Sequence, residues 1–320
     1  MDILARAQNA ETLRQGTANA SLTASVVVCT RYRQAHLRRC LLALTSMSFQ
    51  ATEILVVDNT SGDPDAHRVA EEFQANYLVE PRVGLSRARN RGLKESTGHV
   101  VLYLDDDAIP DSYWIERMVA PFTNPLVAVV TGKIVSDPPI GSISASDNSW
   151  MVSKDHSSWF EIAAFGGLGL GSNMAVRRAF CTEPLFDERL GKGAPFEQGE
   201  ENLAFLRLLN RGYLAVHVPS ALIYHADTEL HLKRFATCSF AYWLLLMDEY
   251  PEQRGTLIRF LWRRLRRIPL PWPRNPQQAG AVISAGWRLY LRAGIRGTIL
   301  FLRHRKFLRQ GVNQGCEPKQ

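Results

Sequence analysis

Three adjacent aspartates, Asp105, Asp106 and Asp107, directly follow the apolar run at residues 100–104. Adjacent carboxylates repel one another unless a cation or strong hydrogen-bond donors hold them. At the carboxyl end of a strand in an open α/β sheet, where ligands bind, a divalent cation that prefers oxygen ligands is the natural partner. The sequence therefore predicts a Mg²⁺ or Mn²⁺ site here, and an acidic surface turn is the alternative.

Four other polar residues stand where a ligand pocket is expected. Asp58 ends a second apolar run, where it can accept hydrogen bonds from a base or ribose; an Asx turn or a helix N-cap is the alternative. Glu200 and Glu201 begin a predicted helix, where acidic residues are favoured anyway, yet one of them is a candidate general base for an attacking hydroxyl. His225, after the last apolar run, is either a metal ligand or a structural histidine.

These residues follow short elements that alternate between strand and helix. Apolar, strand-like runs lie at 25–29, 53–57, 77–79, 99–104, 127–131, 214–218 and 221–224, and helical spacing lies at 37–47, 66–76, 86–96 and 200–210. Such alternation predicts a doubly wound, mostly parallel α/β sheet whose strand ends share one edge. Residues 136–171, rich in Ser, Gly and Trp, are predicted to form a loop or irregular lid.

The composition of the 320-residue chain is that of an ordinary globular protein, which excludes wholesale disorder and low-complexity scaffolds. Five scattered cysteines indicate neither a disulfide framework nor a cysteine zinc site. The first 21 residues lack the basic start and apolar stretch of a secretory signal. We therefore expect a cytoplasmic protein, free or peripheral on the inner face of the cell membrane.

The chain has a net charge of +7, and its arginines concentrate in a basic tail. Residues 257–268 read LIRFLWRRLRRI, and Arg288, Arg292 and Arg296 recur at helical spacing. Basic amphipathic helices of this kind bind anionic membrane surfaces; a solvated helix packed on the preceding domain is the alternative. The chain is thus divided into a flexible leader (1–22), an α/β domain (23–228) and a helical basic region (229–320).

Six segments between residues 25 and 226 form an ordered set. They are SVVVCTRYR, EILVVDNTSGD, GLSRARNRG, YLDDDA, GSNMAVRR and GEENLAFLRLLNRGY. In this order they resemble the family 2 glycosyltransferases of the GT-A fold. The resemblance implies transfer of a sugar, with inversion, from a nucleotide-diphosphate sugar to a hydroxyl of a glycan, lipid-linked or small-molecule acceptor. It also implies a place in the biosynthesis of cell-surface polysaccharide or glycoconjugates.

The resemblance further implies roles for individual residues. Asp105 and Asp107 match the metal-binding carboxylates, joined by His225 as a third candidate ligand, and Glu201 matches the base, with Glu200 as the fallback. The residues expected around the nucleotide sugar are Thr30, Arg31, Tyr32, Asp58, Arg89, Asn90 and Asp106. The glycine cluster ending at Gly171 predicts a flexible loop that brings Ser172 and Asn173 close to the acceptor. Glu201 stands where relatives commonly have Asp, and Tyr32 where many have Asn.

Two other functions are weighed against this one. A sugar-phosphate nucleotidyltransferase shares a related fold, but its family opens with a glycine-rich loop after the first strand, and CTRYR contains no glycine. A nucleic-acid-binding protein is suggested by the sequence pI of about 9.3 and the arginine runs. The sequence contains no recognised nucleic-acid module, so no nucleic-acid partner is expected.

Overall fold

The computed structural model describes residues 22–47, 49–136, 148–182, 184–225, 232–266, 294–299 and 301–302. Contacts along the chain divide the protein into two compact units. The first consists of Met1–Glu188 and Glu200–Thr228, and the second of Arg189–Gly199 and Glu229–Gln320. All nine strands of the described residues belong to one sheet, which lies in the first unit.

The first half of the sheet is parallel. Its strands are β1 (Ala24–Thr30), β2 (Glu53–Asp58), β3 (Asn76–Val79) and β4 (Val100–Asp105). The helices between them are α1 (Gln34–Thr45), α2 (Pro64–Glu72) and α3 (Leu85–Glu95). All three pairings in the order β3-β2-β1-β4 are parallel, because each helix returns the chain to the same starting edge.

The second half of the sheet mixes parallel and antiparallel strands. Its elements are β5 (Ala108–Pro110), α4 (Trp114–Val119), β6 (Val127–Ser136), β7 (Trp150–Val152), α5 (Trp159–Ala164), β8 (Asn173–Arg177), α6 (Glu200–Asn210) and β9 (Leu214–His225). The full order is β3-β2-β1-β4-β8-β6-β9-β5, and β7 also pairs with β9. Strand β8 is antiparallel to β4 and β6, and β6 is parallel to β9. The predicted doubly wound α/β class is confirmed.

Local details of this half differ from the sequence prediction. Residues 136–171, predicted as a loop or lid, contain β7 and α5 within their described part. Strand β5 was not predicted, since three residues are too few to show a period and Pro110 is unusual within a strand.

The strands predicted at 214–218 and 221–224 form the single strand β9. A shift in the β6–β9 register after Gly132 accommodates the residues around Pro219, which cannot donate a backbone hydrogen bond. Gly132 makes this irregularity fit, because a Cβ at that position would lie 2.2 Å from the carbonyl oxygen of Ala221. The pairing therefore continues to His225 at the far end of the strand.

Strand β1 is packed on both faces. Val26 and Val28 lie in one buried cluster with Leu37 and Leu41 of α1. Residues 26 and 28 point to one face and Val27 to the other. On that second face α3 approaches very closely, since a Cβ on Gly92 would lie 2.4 Å from a methyl group of Val27. Only glycine permits this distance, and it holds α3 close to the middle of β1.

The second unit contains α7 (Leu232–Glu249) and α8 (Arg254–Arg266), and residues 294–299 are also helical. Within it, the Trp243 indole donates to the carbonyl of Leu257 over 3.2 Å. Among the described residues, no helix is both long and apolar enough to cross a membrane. The predicted leader up to residue 21, and the tail residues Arg288 and Arg292, lie outside the described residues.

Candidate active site

The sheet brings the predicted site residues to one edge. Strand β1 pairs with β2 so that Thr30 lies opposite Asp58, and it also pairs with β4, which ends at Asp105. Parallel strands share their carboxyl edge, where ligands bind in open α/β sheets. His225 reaches the same edge from the other half of the sheet, because β5 pairs with β9 and aligns Ala108 with His225.

Asp105, Asp107 and His225 form a compact group of metal-ligand side chains. One carboxylate oxygen from each aspartate and an imidazole nitrogen lie within 4.8 Å of one another. His225 Nε2 is 3.0 Å from Asp107 Oδ1 and 3.8 Å from Asp105 Oδ2. Two carboxylate oxygens and a nitrogen are a donor set that fits a divalent cation, so these three predicted ligands are brought together.

The middle carboxylate, Asp106, is held by the protein itself. Thr30 Oγ1 donates to its Oδ2 over 2.7 Å, and Arg33 Nη1 donates to its Oδ1 over 3.0 Å. Arg33 Nη1 also donates to Asp107 Oδ2 over 2.5 Å. Arg33 is absent from the predicted site residues. The signal for it in the sequence is its place three residues after a strand that ends at the site edge, at the start of α1.

Opposing effects set the pKa values of the three aspartates. Burial alone would raise all three. In Asp105 and Asp107, the interaction with His225 and the charge of a neighbouring arginine outweigh burial and hold the pKa below its usual range. In Asp106 burial prevails over its two hydrogen bonds, and the pKa is raised. The two outer carboxylates are therefore charged at neutral pH, as metal ligands must be.

Arg89 is buried between the aspartates and the glutamates of α6. Its Nη2 lies 3.4 Å from Asp105 Oδ1, and its Nη1 lies 3.0 Å from Glu200 Oε1. Burial would lower the pKa of Arg89, but the nearby carboxylates raise it, so the guanidinium stays charged. Gly171 provides the space, because a Cβ there would lie 2.7 Å from Nη1. This glycine of the predicted acceptor loop thus packs directly on the buried arginine.

Glu200 and Glu201 lie in the first turn of α6, and both are buried. Glu200 is engaged in the ion pair with Arg89. Burial, and after it the charge of Glu200, raises the pKa of Glu201 to about 8. A carboxyl group with a pKa close to neutrality can accept and release a proton under physiological conditions. The two adjacent glutamates therefore differ in what they can do chemically.

Asp58 is completely buried at the end of β2. Its Oδ2 accepts hydrogen bonds from the Thr60 hydroxyl, the Asp63 amide and the Tyr77 hydroxyl, over 2.7, 2.7 and 2.6 Å. Its Oδ1 is buried and has no hydrogen-bond partner among the described residues. A buried acceptor without a donor is costly, so Oδ1 is suited to receive a hydrogen bond from a ligand.

Two predicted ligand contacts are engaged within the fold. The side-chain amide of Asn90 donates to the carbonyl of Phe186 over 2.7 Å and accepts from its amide over 2.9 Å. Asn173 belongs to strand β8 and not to a loop; its amide bonds to two backbone carbonyls and accepts from the Trp114 indole. Both side chains hold neighbouring segments together. Ser172, beside Asn173, is also buried.

Arg31 and Tyr32 form the exposed rim of the site. Tyr32 is 66% exposed, has a φ of +55°, and lies under the Arg31 guanidinium at 5.7 Å. Gln74, the other described non-glycine residue with positive φ, terminates α2 in a regular helix-ending turn. No such turn explains Tyr32. The left-handed conformation of a non-glycine residue costs about 1–2 kcal/mol, and such residues cluster at ligand sites.

The amino-acid sequence is similar to those of known proteins. Residues 25–179 match the model of glycosyl transferase family 2. The glycosyltransferase AglE of Haloferax volcanii is 30% identical over 129 residues, which cover 38% of this chain and 42% of that protein. The succinoglycan biosynthesis protein ExoM of Rhizobium meliloti is 29% identical over 171 residues, which cover 50% and 53%. The matched segments thus span about half the length of these curated relatives.

Solved structures match over more of the chain. TarS 1–349 of S. aureus in complex with UDP-GlcNAc has a TM-score of 0.56 at 17% identity and covers 93% of both chains. The mannosyltransferase PcManGT of Pyrobaculum calidifontis, in complex with GDP-Man and Mn²⁺, has a TM-score of 0.57 at 14% identity and covers 89% of this chain and 88% of its own. The sequence match gives the family and the structural matches give the fold: residues 25–179 belong to glycosyl transferase family 2, and the α/β unit has the GT-A fold.

Proposed function

We propose that this protein is a metal-dependent, inverting glycosyltransferase. It transfers a sugar, a hexose or a related one, from a nucleotide-diphosphate donor to a hydroxyl of a glycan, lipid-linked or small-molecule acceptor. The observation that carries the proposal is that a candidate metal-binding group and a candidate proton acceptor lie next to each other. The Asp105–Asp107–His225 group and the glutamate pair of α6 are joined through one buried guanidinium, that of Arg89.

The donor pocket is proposed at the carboxyl ends of β1 and β2. The free Oδ1 of Asp58 is an acceptor for the ring N–H that uracil, thymine and guanine all carry. Thr30 ends the neighbouring strand, and Tyr32 with Arg31 offers an aromatic face and a positive charge at the rim. The structural neighbours that hold UDP-GlcNAc and GDP-Man support a nucleotide-diphosphate donor of this general kind.

The transfer is proposed as a single displacement. Glu201 takes the proton of the acceptor hydroxyl, and the oxygen attacks the anomeric carbon from the face opposite the diphosphate. The bond to the diphosphate breaks, so the nucleotide leaves and the anomeric configuration inverts. A divalent cation, when bound by Asp105, Asp107 and His225, neutralises the charge that grows on the leaving diphosphate. The Mn²⁺ of PcManGT supports Mn²⁺ or Mg²⁺ as that cation.

Glu201 is proposed as the base in preference to Glu200 because of their different partners. The Glu200 carboxylate is tied to Arg89 in an ion pair over 3.0 Å, so one of its oxygens is already engaged within the fold. Glu201, with its pKa of about 8, acts as the base in its deprotonated form, whose share grows as the pH rises towards 8, and it holds the proton once transferred. Proton transfer is most efficient when the pKa of the base is close to the working pH.

The proposed acceptor class and membrane association are supported by the relatives and by the surface of α8. A succinoglycan biosynthesis protein and a glucosyl-dolichyl phosphate glucuronosyltransferase are among the relatives, which supports a glycan or lipid-linked acceptor and a role in cell-surface glycan synthesis. The cytoplasmic location stays a prediction. On α8, Ile258 and Trp262 are 45% and 58% exposed, and Arg259 and Arg263 are exposed beside them. Apolar and cationic side chains on one helix face fit an anionic membrane surface.

The first prediction concerns donor and metal together. UDP, GDP or dTDP titrated calorimetrically into the protein should bind with micromolar affinity in Mn²⁺ and much more weakly in EDTA. Asp107→Asn should remove the effect of Mn²⁺, whereas Asp111→Asn, which alters a partly exposed carboxylate paired with Arg117, should not. If none of the nucleotides binds to the folded protein, residues 105–107 are an acidic turn.

The second prediction concerns the base. Glu201→Gln should preserve nucleotide binding and lower kcat by about 10²–10⁴-fold, because the acceptor hydroxyl loses its proton acceptor. Steady-state rates with the donor that the calorimetry identifies give the measurement. A loss of this size in Glu200→Gln, with Glu201→Gln nearly as active as wild type, would assign the base to Glu200.

The third prediction concerns the proton on Glu201. In the unfolded chain this carboxyl loses its proton near pH 4.5, and in the folded protein near pH 8, so between these values folding takes up a proton. The free energy of unfolding should therefore fall by about 1.4 kcal/mol per pH unit relative to Glu201→Gln across this window. Urea unfolding at pH 5, 6, 7 and 8 measures it. Glu116→Gln, at an exposed site on α4, should follow wild type; parallel curves for wild type and Glu201→Gln would contradict the raised pKa.

The fourth prediction concerns the membrane. Replacing both Arg259 and Arg263 by Gln should weaken binding to vesicles with anionic headgroups by at least about tenfold, since each arginine near such a surface contributes ~1 kcal/mol. The matched control is Arg38→Gln/Arg39→Gln, two exposed arginines of α1. Vesicle co-sedimentation at low and high salt is the measurement. Equal binding by both double variants would refute a membrane role for α8.

A further inference from the structure

We propose that Arg33 is a positioning residue for the divalent-cation site. It lies at the start of α1, and its Nη1 bridges Asp106 Oδ1 at 3.0 Å and Asp107 Oδ2 at 2.5 Å. The inference rests on the proposed function, because it assumes that Asp107 binds the cation. It concerns what holds that ligand in place.

The bridge determines which oxygen of Asp107 faces the site. Arg33 holds Oδ2, and the other oxygen, Oδ1, lies 3.0 Å from His225 Nε2 within the candidate ligand group. A carboxylate whose second oxygen is fixed cannot rotate away from the cation. Partners of this kind, one shell away from the metal, typically account for about 10–100-fold in metal affinity.

Asp106 anchors the bridge to the sheet. Its Oδ2 accepts from Thr30 Oγ1, which stands at the end of the buried strand β1, and its Oδ1 accepts from Arg33. The Asp106 side chain is only 5% exposed, so it acts as an internal support for the guanidinium. The chain of contacts therefore runs from β1 through Asp106 and Arg33 to Asp107, and it explains the use of three consecutive aspartates in place of two.

The positive charge of Arg33, considered without its hydrogen bonds, predicts the opposite effect on cation affinity. A guanidinium beside the outer carboxylates repels a divalent cation, so if only its charge mattered, removing Arg33 would tighten cation binding. If Arg33 positions Asp107, removing it weakens binding. The sign of the change in affinity therefore distinguishes a positioning residue from a competing charge.

The test is direct titration of the full-length protein with Mn²⁺, followed by electron paramagnetic resonance. Arg33→Gln should weaken Mn²⁺ binding by about 10–100-fold, and Arg33→Lys, which keeps the charge on a shorter reach, should lose less. Arg117→Gln is the matched control: its side chain is 34% exposed against 36% for Arg33, and it too pairs with an aspartate. It should bind Mn²⁺ as wild type does.

Thr30→Val provides a second variant if Arg33→Gln does not fold. It removes the hydrogen bond that anchors Asp106 and changes no charge, so weaker Mn²⁺ binding in this variant supports positioning. The proposal is overturned if Arg33→Gln binds Mn²⁺ as tightly as wild type or more tightly. If only Thr30→Val folds, unchanged Mn²⁺ binding in that variant overturns it. If wild type binds a nucleotide but no Mn²⁺, the metal role in the proposed function fails as well; if wild type binds Mn²⁺ and Arg33→Gln binds it equally, only the role of Arg33 fails.

Discussion

Repulsion among the three adjacent carboxylates of residues 105–107 is the constraint on which the site depends. They stand at the end of a buried strand, where burial makes each charge more costly. The compensation comes from three separate parts of the chain: Arg33 at the start of α1, Arg89 within α3 and His225 at the end of β9. Each of these side chains lies within 4 Å of a carboxylate oxygen. The fold must therefore place all three at the same edge of the sheet.

The sheet topology and two glycines meet that requirement. The parallel order β2-β1-β4 brings strand ends together, and the short strand β5 returns along β9 so that His225 meets the aspartates. Gly92 allows α3 to pack closely on β1, and this packing places Arg89 of α3 at the same edge. Gly171 leaves space for the guanidinium of Arg89. A methyl group at either glycine would displace the helix or the buried charge. The strand order and the two glycines therefore serve the placement of charges at the site as well as the packing of the core.

Local patterns in the sequence predict the elements but not which charges meet. The buried strands, the aspartates at the end of β4 and the glutamates at the start of α6 could be predicted, since each depends on the spacing of neighbouring residues. The contacts of Arg33 with Asp106 and of Arg89 with Glu200 span 73 and 111 residues, and they depend on register. The resemblance to a family supplied the order of motifs but not the partners of individual side chains. Asn90, predicted at the nucleotide, bonds to the backbone of Phe186, a contact that the motif order does not reveal.

The same buried network explains how two adjacent glutamates come to have different chemistry. Arg89 touches both Asp105 and Glu200, so one guanidinium interacts with both the candidate metal ligands and the first turn of α6. Burial and the charge of Glu200 raise the pKa of Glu201, while Arg89 opposes the rise. The proton affinity of Glu201 therefore reflects the whole arrangement of charges around Arg89. A change of charge at Asp105 therefore reaches Glu201, the proposed base, through the charge of Arg89, which contacts Asp105 and lowers the pKa of Glu201.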